Sequence, residues 1–154
     1  MNEIKNFREI RADNKVIYDV MNIIELNWKP CKIKTVQWEY HGKLVEFKEN
    51  PEIGVFADYL KDKDIVVFSR TIGSEEIRNY LTVYNPDGSI RFSIPNKILI
   101  FGEEKEGKFL GITEYQYEDD NHFVIIFEPD DYNAMYYVLV NCNTGATECL
   151  SEAR

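Results

Sequence analysis

The chain has 154 residues, 44% hydrophobic and 14% aromatic, with 27 Asp/Glu against 18 Lys/Arg for a formal net charge of −9. That length and apolar content fit one folded domain with a real core and exclude a disordered chain, while the acidic balance disfavours nucleic acid and anionic membranes as partners. No apolar run reaches the ~18–20 residues needed to span a bilayer, and the N-terminus Met1–Asn6 lacks the charged-then-apolar pattern of a signal peptide.

Three cysteines at irregular spacing do not read as a disulfide framework, so a reducing, cytoplasmic setting is expected. The charge is unevenly placed. Residues 101–154 hold twelve Asp/Glu and three Lys/Arg, which accounts for the whole imbalance; the two preceding thirds nearly cancel.

Read in order, the first fifty residues give the least definite pattern. Lys34–Tyr40, the turn His41-Gly42 and Lys43–Phe47 read as a β-hairpin. Val20–Leu26 reads as an apolar strand before it, with Phe7–Arg11 or Lys15–Asp19 leading. Val16, Ile17, Val20, Met21 and Ile24 also fall at helical spacing behind Asp13 or Asn14, so a short N-terminal helix over 14–26 is the rival.

The middle of the chain is clearer. Gly54–Leu60 leads, Asp64–Ser69 is strongly apolar, and Tyr80–Ile94 forms a hairpin around Asn85-Pro86-Asp87-Gly88. In that turn Pro presets φ, Asp bonds nearby backbone and Gly accepts φ > 0. The same plan returns in Phe109–Tyr115, His122–Phe127, Tyr136–Asn141 and Ala146–Leu150, with Cys142–Gly145 in the place of the earlier turn. A period near 56 residues marks a repeated supersecondary unit, with copies at roughly 7–47, 54–94 and 109–150 of a single domain.

Ile65–Phe68 and Phe123–Phe127 are apolar on both faces, so each must be covered on both sides. The expected fold is therefore all-β, about three related antiparallel β-meanders in a propeller-like stack or twisted sandwich; one large curled sheet is the alternative. Alternate loops of a meander share an end. This places Glu103, Glu104, Glu106 and the loop Pro129–Tyr132 together, and Glu118, Asp119 and Asp120 at the opposite end beside Asp62, Asp64 and Asp87.

Asp62-Lys63-Asp64 lacks the following Gly and distant Glu of a calcium loop, and no Cys or His pair has zinc spacing, so neither a metal nor a cofactor is expected. There is no nucleophile elbow, and Cys31 with His41 or His122 is not a specified dyad. Gly102–Gly107 encloses three glutamates, which would repel phosphate. The protein is expected not to be an enzyme, with a hydrolase as the residual alternative.

Binding remains. Tyr115, Tyr117, Tyr132, Tyr136 and Tyr137 lie among the acidic turns, and Tyr gives large contact area at low entropy cost. The expected partner-binding set is Asp130 and Asp131 first, then Glu118, Asp119 and Asp120, with Tyr115, Tyr117 and Tyr132 as the desolvated centre and Glu103, Glu104 and Glu106 as a steering rim.

With Glu103–Glu106, Glu118–Asp120 and Asp130–Asp131 on a small β-rich chain, the protein resembles in character the bacterial immunity proteins that neutralise contact-dependent and other polymorphic toxins. The resemblance implies a monomer that blocks a basic protein, such as a nuclease toxin, by occluding its active site with acidic loops. The repeat separately resembles β-propeller blades, which implies a scaffold and no activity. An adaptor that binds through a sheet edge is the alternative from a different class.

Overall fold

A computed structural model describes residues 2–18, 33–49, 54–71, 80–113, 119–131 and 134–153. The described residues contain strands and turns and no helix. The first sheet holds β1 (Ile4–Arg11), β2 (Val16–Tyr18), β3 (Ile33–Tyr40) and β4 (Lys43–Lys48) in the order β2-β1-β3-β4. The second runs in sequence order through β5 (Gly54–Leu60), β6 (Ile65–Thr71), β7 (Tyr80–Tyr84) and β8 (Ile90–Ile94). The third has five strands, β9 (Lys97–Ile100), β10 (Glu103–Thr113), β11 (His122–Pro129), β12 (Met135–Asn141) and β13 (Thr147–Ala153). Its outer strands β9 and β13 approach each other, so this sheet is strongly curled.

The three sheets stack, and the second is the middle layer. Strand β6 shows why. Ile65 and Val67 enter a cluster with Phe109, Phe123, Ile125, Phe127, Val138 and Val140 of the third sheet. Val66 and Phe68 point the other way, into a cluster with Phe7, Val36 and Trp38 of the first. A stretch with both faces buried is apolar at successive positions, as Ile65–Phe68 of this strand is. The second cluster is aromatic: Phe47 packs on Trp38, Phe68 and Tyr84 with ring centroids 5.5, 5.4 and 4.5 Å apart.

Neighbouring sheets are joined by the same device twice. The β7–β8 turn closes through Gly88 N–H to Asn85 O, and Asp87 accepts from the Ser89 amide and hydroxyl. Trp38 of β3 then donates its Nε1–H to Pro86 O at 2.7 Å, and Gly88 lies so near Val45 that a Cβ there would stand 2.8 Å from Cγ1. At the β12–β13 turn, Arg91 of β8 donates to Cys142 O at 3.3 Å, and a Cβ on Gly145 would meet Phe92 at 2.7 Å. Each closing turn thus docks on the last strands of the sheet before it. Ser69 Oγ, donating to Phe109 O at 2.8 Å, and the 2.7 Å Arg70–Glu49 pair add polar links between layers.

Two expectations need correction. In the first sheet, the strand beside β3 is β1, with Ile10 opposite Thr35 and Glu9 opposite Val36, so the place assigned to Val20–Leu26 is filled by the chain's first strand. The helix-or-strand question over 14–26 is answered only as far as Tyr18, where Val16–Tyr18 is strand; the rest lies outside the described residues. Glu103–Glu106 is not a loop. It is the first part of β10, hydrogen-bonded to β9 with Glu103 opposite Ile100 and Lys105 opposite Ile98. Ile98 and Ile100 supply the buried face that makes this extension worthwhile.

Candidate protein-binding surface

The β9–β10 hairpin continues past the end of β11, and this brings two of the acidic stretches together. Gly107 pairs with Pro129, and the Asp130 amide donates to Glu106 O at 2.9 Å, so Asp130 and Asp131 lie against the Glu103–Glu106 segment. Alternation then sorts the side chains. Glu103 and Lys105 share the face of Ile98 and Ile100, while Glu104 and Glu106 share the opposite face with Leu99 and Lys97. Lys105 Nζ stands 3.0 Å from Asp131 and 3.2 Å from Glu103. The Asp131 hydrogen bond, with Glu103 behind it, raises the Lys105 ammonium above its ordinary range. Glu106 faces Lys97 at 3.4 Å.

The acids here are therefore not equal. Asp131, Glu103 and Glu106 are partly neutralised by lysines of the same chain. Glu104 and Asp130 are exposed and have no ion-pair partner among the described residues. They are the charges left for an external cation.

Asp119 and Asp120 lie just before the far end of β11, whose His122 is seven residue steps from Pro129, or ~23 Å along the strand. Asp119 is a structural residue. It accepts the Asn121 amide at 2.7 Å and faces His122 Nδ1 at 3.1 Å. The Asn121 hydrogen bond chiefly, with His122 beside it, holds its carboxyl below the usual range. Asp120 is exposed. Glu118, Tyr115, Tyr117 and Tyr132 lie outside the described residues.

The apolar part of the surface comes from residues that the sequence reading passed over. Phe101, in the β9–β10 turn, is 69% exposed, and Leu99 is 60% exposed. The Phe101 ring stands edge-on to Tyr136 at 6.1 Å. The signal was present in Lys97-Ile-Leu-Ile-Phe-Gly-Glu103: a short apolar run to Ile100, then an aromatic placed where a turn wants Asn or Asp. The mixture of exposed aromatic and aliphatic groups with unneutralised carboxylates is suited to a protein partner, not to a small substrate.

Other places where chemistry was sought are committed to structure. Asp64 accepts the Glu3 and Ile4 amides at 2.7 and 3.2 Å, tying the N-terminus to the β5–β6 turn. Cys142 is a buried free thiol and Cys149 a half-buried one. Among the described residues no group of three or more His, Cys, Asp and Glu is arranged to hold a metal. His41 borders an open groove with Glu3, Asn6 and Glu39, where His41 Nε2 and Glu3 are 3.4 Å apart with both side chains largely in water.

No protein-family model matches the chain, and no curated protein matches it. Among solved structures, it is similar to a chain of Tne2 in complex with Tni2, with a TM-score of 0.80 and 23% identity over 98% of each chain. At that identity the likeness is one of fold: the whole three-sheet architecture recurs in a protein solved as part of a two-protein complex.

Proposed function

We propose that the protein binds and blocks a basic protein, as a bacterial immunity protein blocks a nuclease toxin, acting in the cytoplasm and with no chemistry of its own. The observation that carries this reading is the end of the third sheet, where Glu104 and Asp130 stand without ion-pair partners among the described residues, close to exposed Leu99 and Phe101. A chain of the same fold at 98% coverage was solved within a complex of Tne2 with Tni2, which supports protein binding as a use of this scaffold.

In this mechanism Glu104 and Asp130 occupy positions that substrate phosphates take in the partner's groove and pair with its Lys and Arg. Asp131, Glu103 and Glu106, shared with lysines of this chain, supply the surrounding field that steers approach. The test uses the product of the neighbouring coding region in the source genome, purified and mixed with this chain in stopped flow at low and high salt. Nanomolar binding, loss of nuclease activity in the complex, and a roughly 10-fold slower association for the Glu104→Gln/Asp130→Asn pair at low salt are expected. A neighbouring product that does not bind, or an association rate indifferent to both salt and the two substitutions, overturns the reading.

A further inference from the structure

We infer that Phe101 is the anchor of this surface: a preset aromatic plug that enters an apolar pocket ringed by Lys and Arg on the basic partner. The inference rests on the protein-binding reading and adds to it the residue that determines how long the complex lasts.

The backbone supplies the first observation. Phe101 has φ +50° and Gly102 φ +86°, the left-handed pair of a two-residue hairpin turn that Asn-Gly or Asp-Gly serves best. The other non-glycine residues with positive φ among the described residues are Asn6, Asn14, His41 and Asp64, all polar types that tolerate this region. Phe101 alone is apolar. A bulky aromatic in that conformation is strained, and such strain persists where something other than the turn requires the side chain.

Its surroundings supply the second. Phe101 is the most exposed large apolar side chain among the described residues, so the strain does not serve the core. The ring is nevertheless braced: it stands at 78° to Tyr136, with ring centroids 6.1 Å apart. An aromatic group held in place before contact loses little entropy on binding, which is the character of an interface hot spot. Leu99, two residues earlier in β9, is exposed on the face that carries Glu104.

The charges around it select the occupant. Glu103 and Glu104 come directly after the turn, and Asp131 joins them through Lys105. A second copy of this acidic chain would bring like charges together, whereas a basic surface would complement them.

The experiment compares wild type with Phe101→Asn, which keeps the turn chemistry and removes the ring, using the neighbouring-gene protein as the probe. Relief of the left-handed strain is expected to leave Tm unchanged or raise it by about 2–4 °C. Kd is expected to weaken by about 30-fold or more, almost entirely through faster dissociation and equally at low and high salt. A variant that binds as tightly as wild type overturns the anchor and leaves the protein-binding reading standing. A Tm lowered by more than about 4 °C makes Phe101 a packing residue of the curled sheet and overturns it too. If wild type sediments as a dimer that Phe101→Asn converts to a monomer, the occupant is a second copy and the proposal fails. If wild type does not bind the probe, the reading on which the inference rests falls first.

Discussion

The docking of each closing turn on the preceding sheet can be measured with three alanines. Gly42, Gly88 and Gly145 all have left-handed backbones, at φ +77°, +88° and +78°. They differ in what a Cβ would meet: nothing within 4 Å at Gly42, Val45 Cγ1 at 2.8 Å at Gly88, and Phe92 at 2.7 to 3.2 Å across three ring atoms at Gly145. Alanine at any of the three costs ~1–2 kcal/mol for the conformation alone. At Gly145 the added methyl must also displace a ring that packs against the core between the second and third sheets, an overpacking cost of ~1–3 kcal/mol. Gly145→Ala is therefore expected to lose ~2–5 kcal/mol and Gly42→Ala ~1–2 kcal/mol, with Gly88→Ala between them because a valine methyl yields more easily than a ring. Urea denaturation followed by tryptophan fluorescence reads the midpoints. For a chain of this size each kcal/mol moves Tm by roughly 2–4 °C, so the ranking is also visible in a thermal scan. Equal losses at all three positions would mean that the turns are free of the neighbouring sheets, and the stacking account would be wrong.

Two further outcomes follow from buried polar groups. Burial pushes the Glu9 carboxyl up to about 7 and Asp58 up to about 6, against ordinary values of 4.5 and 3.8, with Arg11 opposing the shift at Glu9 and the Ile112 amide at Asp58. The folded state thus holds these protons more tightly than the unfolded chain, so their contribution is full below about pH 4 and is lost as pH rises to about 7. For Glu9, whose carboxylate sits 3.6 Å from Arg11, the difference is worth up to ~3 kcal/mol, and Glu9→Gln should flatten that slope in denaturation midpoints taken from pH 5 to 8. A variant that keeps the wild-type slope would contradict it. Trp38→Phe removes the donor to Pro86 O and part of a fully buried side chain, and should cost ~2–4 kcal/mol; a loss below ~1 kcal/mol in the same assay would show that this bond does not hold the turn to the first sheet.

Much of this architecture could be read from local pattern. Val66, Val67 and Phe68 in a row forced a strand covered on both faces, and they occupy the middle layer with alternate residues in the two cores. The turns at Asn85–Gly88 and His41-Gly42 followed from residue types that accept their backbone angles. The first sheet was misread because β-pairing is non-local. Nothing in Ile4–Arg11 states that it will lie beside β3 rather than lead the sheet, and several registers satisfy the same alternation. Glu103–Glu106 was misread for a related reason: three acids around a lysine look like a loop until Ile98 and Ile100 across the hairpin give them a partner strand.

The candidate site divides in the same way. Sequence alone determined that the last third holds the negative charge, that Asp130 and Asp131 come to the end where Glu103–Glu106 lies, and that Asp119 and Asp120 go to the other, since a strand of known rise fixes which loops share an end. Only the tertiary structure decided which of those acids are free. Lys105 and Lys97 reach Asp131, Glu103 and Glu106 through a hairpin that curls over the sheet end, and Glu104 and Asp130 are left without such a neighbour among the described residues. It also decided that Phe101 stands exposed while Phe109 and Phe127, of the same chemistry, are buried to within 1%. Composition ranks side chains by how much they gain from burial; which of them obtains it depends on where the strands end and how the third sheet curls, and those are properties of the assembled sheets.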